Sequence, residues 1–100
     1  MVIYNVTVKV SHEIAEDWVK WMQSIHIPEV MATESFIKHQ LCHLLDYDDE
    51  EGQNYTIQYF CTDMSTYENY MKNLAPALQA KHLTRYGDKA LAFRTLMRVL

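Results

Sequence analysis

The order of the predicted elements constrains the fold of this chain more than any other feature. Alternating and helical apolar patterns predict strand, helix, strand, strand, helix, strand within 100 residues, with almost no linker between them. This is the βαββαβ order of a split βαβ sandwich. Because crossover connections are right-handed, both helical segments should cover one face of a four-stranded antiparallel sheet, with the first and third strands in the middle. We predict a single α+β domain spanning residues 1–100.

Alternation of side chains assigns the faces of the strands, which are predicted at residues 1–10, 36–45, 54–61 and 90–99. The apolar spacing within 36–45 also suits a helix, and the element order decides in favour of a strand. Val6, Ile57 and Phe93 should face the helices. Asn5, Gln58 and Arg94 should lie together on the opposite face, which we call the open face.

Prolines and capping residues delimit the two helical segments. The first should begin after Ser11 and end near His26, because the residue before Pro28 is disfavoured in helical backbone. A short helical turn could restart at Pro28. The second should begin in a capping box at Ser65, be kinked or restarted by a proline, and end at Gly87.

The charge pattern argues against a nucleic-acid or membrane partner. The net charge is −4, but five acidic residues fall within 46–51 and the rest of the chain is close to neutral. No basic stripe remains to follow a phosphate backbone. No stretch reaches the roughly 18 consecutive apolar residues of a membrane span, and residues 1–10 lack the pattern of a signal peptide. We expect a soluble, cytoplasmic protein.

The two cysteines, Cys42 and Cys61, fall on consecutive predicted strands. Pairing Leu45 with Asn54 sets Cys42 opposite Ile57, too far along the ladder from Cys61 for a disulfide. Free buried thiols fit a reducing compartment.

The open face suggests both self-association and a first candidate site. It is too apolar in places for free exposure and too polar for an ordinary core, so a second copy of the chain should cover it, giving a homodimer with a barrel-like interior. Asn5, Gln58 and Arg94 could hold a carboxylate or polarise a carbonyl there, because they combine amide groups with a fork of donors. The alternative is that they only satisfy one another across a wet interface.

His26 and His82 form the second candidate site. Each is expected near the C-terminal end of a helical segment, and both segments cover the same sheet face, so the two could converge at the mouth of a pocket beside Tyr4 and Tyr59. Histidine is suited to proton transfer near neutral pH. A histidine at a helix C-terminus is also an ordinary cap for the helix dipole.

No metal ion or cofactor is predicted. His39 and His43 would be about 13 Å apart along a strand, too far to share one zinc ion. The acidic stretch 46–51 lacks the glycine and the bidentate glutamate of a calcium-binding loop. With only Gly52 and Gly87 in the chain, no glycine-rich phosphate cradle can form.

Five sequence stretches, spread over nearly the whole chain, carry a family resemblance. They are IYNVT (3–7), HIPEVMAT (26–33), YTIQYF (55–60), APALQ (75–79) and AFRTL (92–96). Together they resemble a bacterial family known only as a domain of unknown function. That family is similar in fold to the ferredoxin-like dimeric α/β barrel group, which includes cofactor-free monooxygenases, haem-degrading or haem-binding proteins and small stress-induced barrels. The resemblance implies the fold and a homodimer and leaves the reaction open. Glu34 stands where a glycine is expected.

The leading functional interpretation is a small homodimer that binds a hydrophobic or aromatic molecule, either between the sheet and its helices or within the barrel. Arg94, Asn5 and Gln58 would orient a polar group of the ligand. One alternative is an enzyme resembling cofactor-independent monooxygenases, with His26 or His82 as the base. A second alternative is a structural or regulatory partner without a ligand.

Overall fold

A computed structural model describes residues 1–100 and has the predicted order of elements. Four strands form one antiparallel sheet: β1 (Val2–Val10), β2 (Lys38–His43), β3 (Gln53–Cys61) and β4 (Ala90–Arg98). Their order in the sheet is β2, β3, β1, β4, so β1 and β3 are central, as predicted. The ambiguous segment 36–45 is confirmed as a strand over its central part.

Each helical segment consists of two α-helices joined by a π-helical turn. The first contains α1 (Ala15–Trp21), a π-turn (Met22–His26) and α2 (Ile27–Ala32), after a 3-10 turn at His12–Ile14. The second contains α3 (Met64–Asn69), a π-turn (Tyr70–Leu74) and α4 (Ala75–Tyr86), and a 3-10 turn at Gly87–Lys89 follows. None of these helices has the length and apolar character needed to cross a membrane.

Pro28 does not end the first helical segment near His26, so that expectation was wrong. Proline lacks an N–H group, which breaks the regular bonding of the helix just before it. The helix responds by widening: the N–H of Ile27 donates to the carbonyl of Met22, five residues back. The same device precedes the second proline, where the N–H of Ala75 donates to the carbonyl of Tyr70. Both segments therefore run on through the proline.

The predicted helix caps are right at one end and wrong at the other. Ser11 precedes the first helical turn, but its side chain makes no capping bond. The second segment is capped by Asp63, whose Oδ1 accepts the N–H of Thr66 at 2.8 Å, and not by Ser65. Gly87 ends α4 with a positive φ of 57°, where glycine is favoured, as expected.

The core lies between the sheet and the helical segments. Alternate residues of β1 and β3 are buried on this face, which we call the helix face. Trp18 of α1 is fully buried and packs against Tyr55, with their ring centroids 5.0 Å apart. The helix face is therefore apolar along β1 and β3, where the two helical segments pack against it.

The faces of β4 are the reverse of those predicted. Arg94 lies opposite Val6 of β1 and therefore on the helix face, whereas Phe93 lies opposite Thr7 on the open face and is 68% exposed. Both alternating sets in β4 contain apolar residues, so alternation alone could not fix its parity. The first candidate site is thereby divided, because Asn5 and Gln58 do face each other on the open face.

The register of β2 differs by one residue from the prediction. Cys42 lies opposite Thr56 and not opposite Ile57, which moves its side chain to the open face. Cys61 is buried on the helix face. Both cysteines are free, and they lie on opposite faces of the sheet.

Candidate functional site

The candidate site is a cavity between the helix face of the sheet and the two helical segments. We call it the inner cavity. The empty space between its lining residues is about 440 Å³, which includes the part open to solvent. The enclosed cavity volume is much smaller, about 40 Å³. Nine of its 13 lining residues are hydrophobic, a count that includes three tyrosines with polar hydroxyl groups. The polar side chains that line it are His26, Gln79, His82, Arg94 and the tyrosines Tyr4, Tyr59 and Tyr70.

The two π-turns deliver lining residues to this cavity. The first turn carries Met22 and His26, and the second begins with Tyr70; all three line the inner cavity. A π-turn rotates the helix that follows it relative to a regular α-helix, and such turns are frequent at functional sites. The proline that disrupts each helix is therefore the local cause of how these side chains are presented.

His26 is the most unusual polar group in the cavity. Its ring stacks on Trp21, with centroids 5.1 Å apart, and its Nδ1 is buried without any hydrogen-bond partner. Burial, together with the nearby His82, lowers the pKa of His26 from 6.5 to about 4. His26 is therefore a neutral imidazole at pH 7, with one buried ring nitrogen that has no partner within the protein.

His82 is held in one tautomer by a buried tryptophan. The indole Nε1–H of Trp18 donates to Nε2 of His82 at 3.0 Å. An indole N–H can only donate, so Nε2 is the accepting nitrogen and the proton of the neutral ring sits on Nδ1. Burial lowers the pKa of His82, and the charge of Arg94 adds to this effect. The rings of His82 and His26 lie 5.9 Å apart.

Arg94 supplies the only formal charge on the lining of the inner cavity. Its Nε donates to the hydroxyl of Tyr4 at 3.0 Å. None of the ion pairs in the chain involves Arg94. Since the Tyr4 oxygen accepts from Arg94, the Tyr4 hydroxyl proton remains free to donate elsewhere.

Tyr59 and Tyr70 also line the cavity. Burial raises the pKa values of Tyr59 and Tyr70 well above the ordinary value of 10. Hydrogen bonds contribute to neither change. Phe36 holds both rings in place, with its centroid 5.1 Å from that of Tyr59 and 4.8 Å from that of Tyr70. The cavity thus offers neutral hydroxyl groups against an aromatic wall.

A second, outer cleft adjoins the inner cavity beside the edge strand β4. The two share Gln79, His82, Ala92 and Arg94, so these residues form the boundary between them. The outer cleft continues to the turn after α4, where it includes Asp88. These shared residues separate the inner cavity from the surface cleft.

The structure brings together one predicted pair and separates another group. His26 and His82 converge on one cavity that Tyr4 and Tyr59 also line, as the pattern of helices predicted. Arg94 joins these histidines, while Asn5 and Gln58 lie on the other side of the sheet. There Asn5 accepts a hydrogen bond from Thr56 and donates one to Thr7. The alternating pattern could have placed Arg94 beside the histidines only if it had been known which face of β4 meets the helices.

Other polar clusters are engaged in holding the chain together. In the acidic stretch, Asp49 accepts the backbone N–H groups of Glu51 and Gly52 and pairs with Lys9 at 2.7 Å. His43 contacts the Asp48 carboxylate at 2.8 Å. No group of three or more histidine, cysteine or acidic side chains is placed to hold a metal ion.

Comparisons with known proteins agree with this fold. The family model for DUF4286, a domain of unknown function, matches residues 1–100, which confirms the resemblance to such a family. No curated protein shows significant sequence similarity to the chain.

Similar solved structures share the architecture at low sequence identity. One is a MhuD variant with two manganese protoporphyrin IX molecules bound per active site (TM-score 0.75, 16% identity, covering 100% of this chain and 95% of that chain). Another is a dimeric ferredoxin-like protein from an uncultured marine organism (TM-score 0.70, 12% identity, covering 99% of this chain and 95% of that chain). A third is a variant of SnoaB, a cofactor-independent oxygenase from Streptomyces nogalater (TM-score 0.60, 14% identity, covering 98% of this chain and 92% of that chain). These similarities establish the ferredoxin-like fold.

Proposed function

Since the chain belongs to the DUF4286 family, whose function is unknown, we propose its role from the site: it binds a small aromatic or hydrophobic molecule in the inner cavity. The observation that carries this proposal is the buried, unpartnered Nδ1 of His26 on the wall of an apolar cavity. A buried polar atom without a partner costs about 1–3 kcal/mol, so a structural role alone gives no reason to keep it there. A ligand that bonds to it removes this cost.

The lining suits a small ligand. Aromatic side chains and a few convergent polar groups are typical of small-molecule sites. In this conformation the cavity volume of about 40 Å³ holds only water-sized groups. A cavity that binds benzene is about 150 Å³, so the lining side chains must move to admit an aromatic ring. A porphyrin, as bound by the MhuD variant, is far too large for it.

Binding is better supported than catalysis by the histidines. A general base works best when its pKa lies near the operating pH. The pKa of His26, at about 4, makes it a weak proton acceptor, and Nε2 of His82 is already engaged by Trp18. The monooxygenase-like alternative therefore lacks a suitable base in the free protein.

Homodimer formation through the open face is part of this proposal. That face carries more exposed apolar surface than expected, because β4 contributes Leu91, Phe93 and Met97, which are 53%, 68% and 36% exposed. Covering such a patch with a second copy removes apolar surface from water.

A cytoplasmic location also remains a proposal, in keeping with the two free cysteines.

The binding proposal is tested by an NMR chemical-shift titration with benzyl alcohol, a small neutral aromatic probe. We expect saturable shifts centred on residues around the inner cavity. Gln79→Trp should abolish them by filling the boundary with the outer cleft. Ala77→Trp adds the same bulk at an exposed position of α4 that lines neither cavity, and should leave them unchanged. No saturable shifts, or shifts centred on the open face, would contradict the proposal.

A further inference from the structure

We infer that the ligand of the inner cavity is an aromatic carboxylate whose anionic group binds Arg94. This inference rests on the proposed function and specifies the chemical class of the ligand. It follows from the charge, the hydrogen-bonding groups and the aromatic side chains of the lining.

The charge of the inner cavity is uncompensated. Arg94 lies on its lining, and no aspartate or glutamate does. The one carboxylate of the outer cleft, Asp88, forms no ion pair with Arg94. Arginine remains charged in proteins, and its planar fork of donors matches a carboxylate. Arg94 itself is exposed to solvent, so an anion can reach its guanidinium from the outer cleft.

Several neutral polar groups on the lining can donate to an anion. Tyr4 accepts from Arg94 and keeps its own proton free, and the tautomer fixed by Trp18 leaves Nδ1–H of His82 as a donor. The hydroxyls of Tyr59 and Tyr70 stay protonated because burial raises their pKa values. A donor-rich lining is complementary to a ligand group that only accepts, which describes a carboxylate.

The ligand's ring has its own place. Tyr4 and Tyr59 stack at 5.9 Å between centroids on the sheet side, and Tyr70 stands tilted to Tyr4 at 6.1 Å. Aromatic rings pair favourably in offset and edge-to-face arrangements, so this wall suits an aryl group. Arg94 sits at the boundary with the outer cleft, so the carboxylate should lie near this boundary and the ring deeper in the inner cavity, where a polar substituent of the ring can partner Nδ1 of His26.

The test compares benzoate with benzyl alcohol, which has nearly the same shape but no charge, in NMR titrations at pH 7. Because hydrogen bonds to charged groups contribute about 1.5–3 kcal/mol, benzoate should bind the protein at least about tenfold more tightly. Arg94→Gln should remove this preference, so that benzoate and benzyl alcohol bind the variant with affinities within about twofold of each other. Arg98→Gln removes a charge from the same face of β4 outside every cavity, and should keep the preference.

Each outcome decides between the two proposals. Equal affinities of the wild-type protein for the two probes would overturn the aromatic-carboxylate inference and leave the binding site standing. A preference that survives Arg94→Gln would do the same. This comparison within the wild-type protein holds even where Arg94→Gln impairs folding. If neither probe shifts the residues of the inner cavity, the proposed function fails and this inference fails with it.

Discussion

Burial of His26 as a neutral ring should make the stability of the protein depend on pH. Its pKa is lowered from 6.5 to about 4, mainly by burial and then by His82. The unfolded chain therefore binds a proton at this residue more readily than the folded chain does. The stability associated with neutral His26 is fully present above pH 6.5 and is lost as the pH falls from 6.5 through 4.

The size of the effect follows from these two pKa values. One pKa unit corresponds to about 1.4 kcal/mol, so His26 alone should remove about 2 kcal/mol between pH 8 and pH 5, and about 3 kcal/mol by pH 4. The charged groups that act on the ring are Glu29, which raises its pKa, and Lys81, which lowers it. The lowered pKa of His82 contributes a loss of the same sign.

The assay is urea denaturation at pH 8 and pH 5, compared between the wild-type protein and His26→Phe. Phenylalanine can keep the stacking on Trp21 but cannot titrate. The wild-type free energy of unfolding should fall by about 2 kcal/mol more than that of the variant. His39→Gln replaces an exposed histidine of β2 and should follow the wild type. If His26→Phe shows the full wild-type pH dependence, His26 is not the buried neutral group described here.

Two other substitutions test the turns and the open face. Glu34 has a positive φ of 62°, so Glu34→Gly should raise the free energy of unfolding in urea by about 0.5 kcal/mol. Asp46→Gly, at 69°, should gain less because aspartate tolerates this conformation better, and a larger gain there would contradict the reasoning. Phe93→Asp should convert the proposed dimer into monomers in light scattering, whereas Tyr47→Asp, equally exposed at 68% in the acidic stretch, should not. A monomeric wild-type protein or a dimeric Phe93→Asp would rule out this interface.

The central strands could be predicted from sequence because their two faces differ. In β1, alternate residues from Val2 to Val10 are apolar, and in β3 the same holds from Tyr55 to Cys61. One face of each central strand is covered by the helices, so its hydrophobic pattern is strong. The convergence of His26 and His82 followed from the same topology, because both helical segments lie on one face.

The edge strands were predictable in kind but not in detail. In β4, Leu91 and Phe93 compete with Ala92 and Leu96 as apolar sets, so composition does not reveal which set faces the helices. The parity is fixed by pairing with β1, which begins with Ala90 opposite Val10. This pairing places Arg94 on the helix face, where it lines the inner cavity. The one-residue shift of Cys42 in β2, another edge strand, has the same origin.

The location of a bound aromatic carboxylate tests the central claim most directly. Intermolecular nuclear Overhauser effects between the ring protons of benzoate and protein methyl groups report contacts within about 5 Å, a distance comparable to ordinary side-chain packing. Binding in the inner cavity predicts contacts to the methyl groups of Val30, Ile57 and Ala92, which line it. Contacts instead to Ile3 and Met97, which pair across the open face, would place the ligand within the dimer barrel and contradict the account.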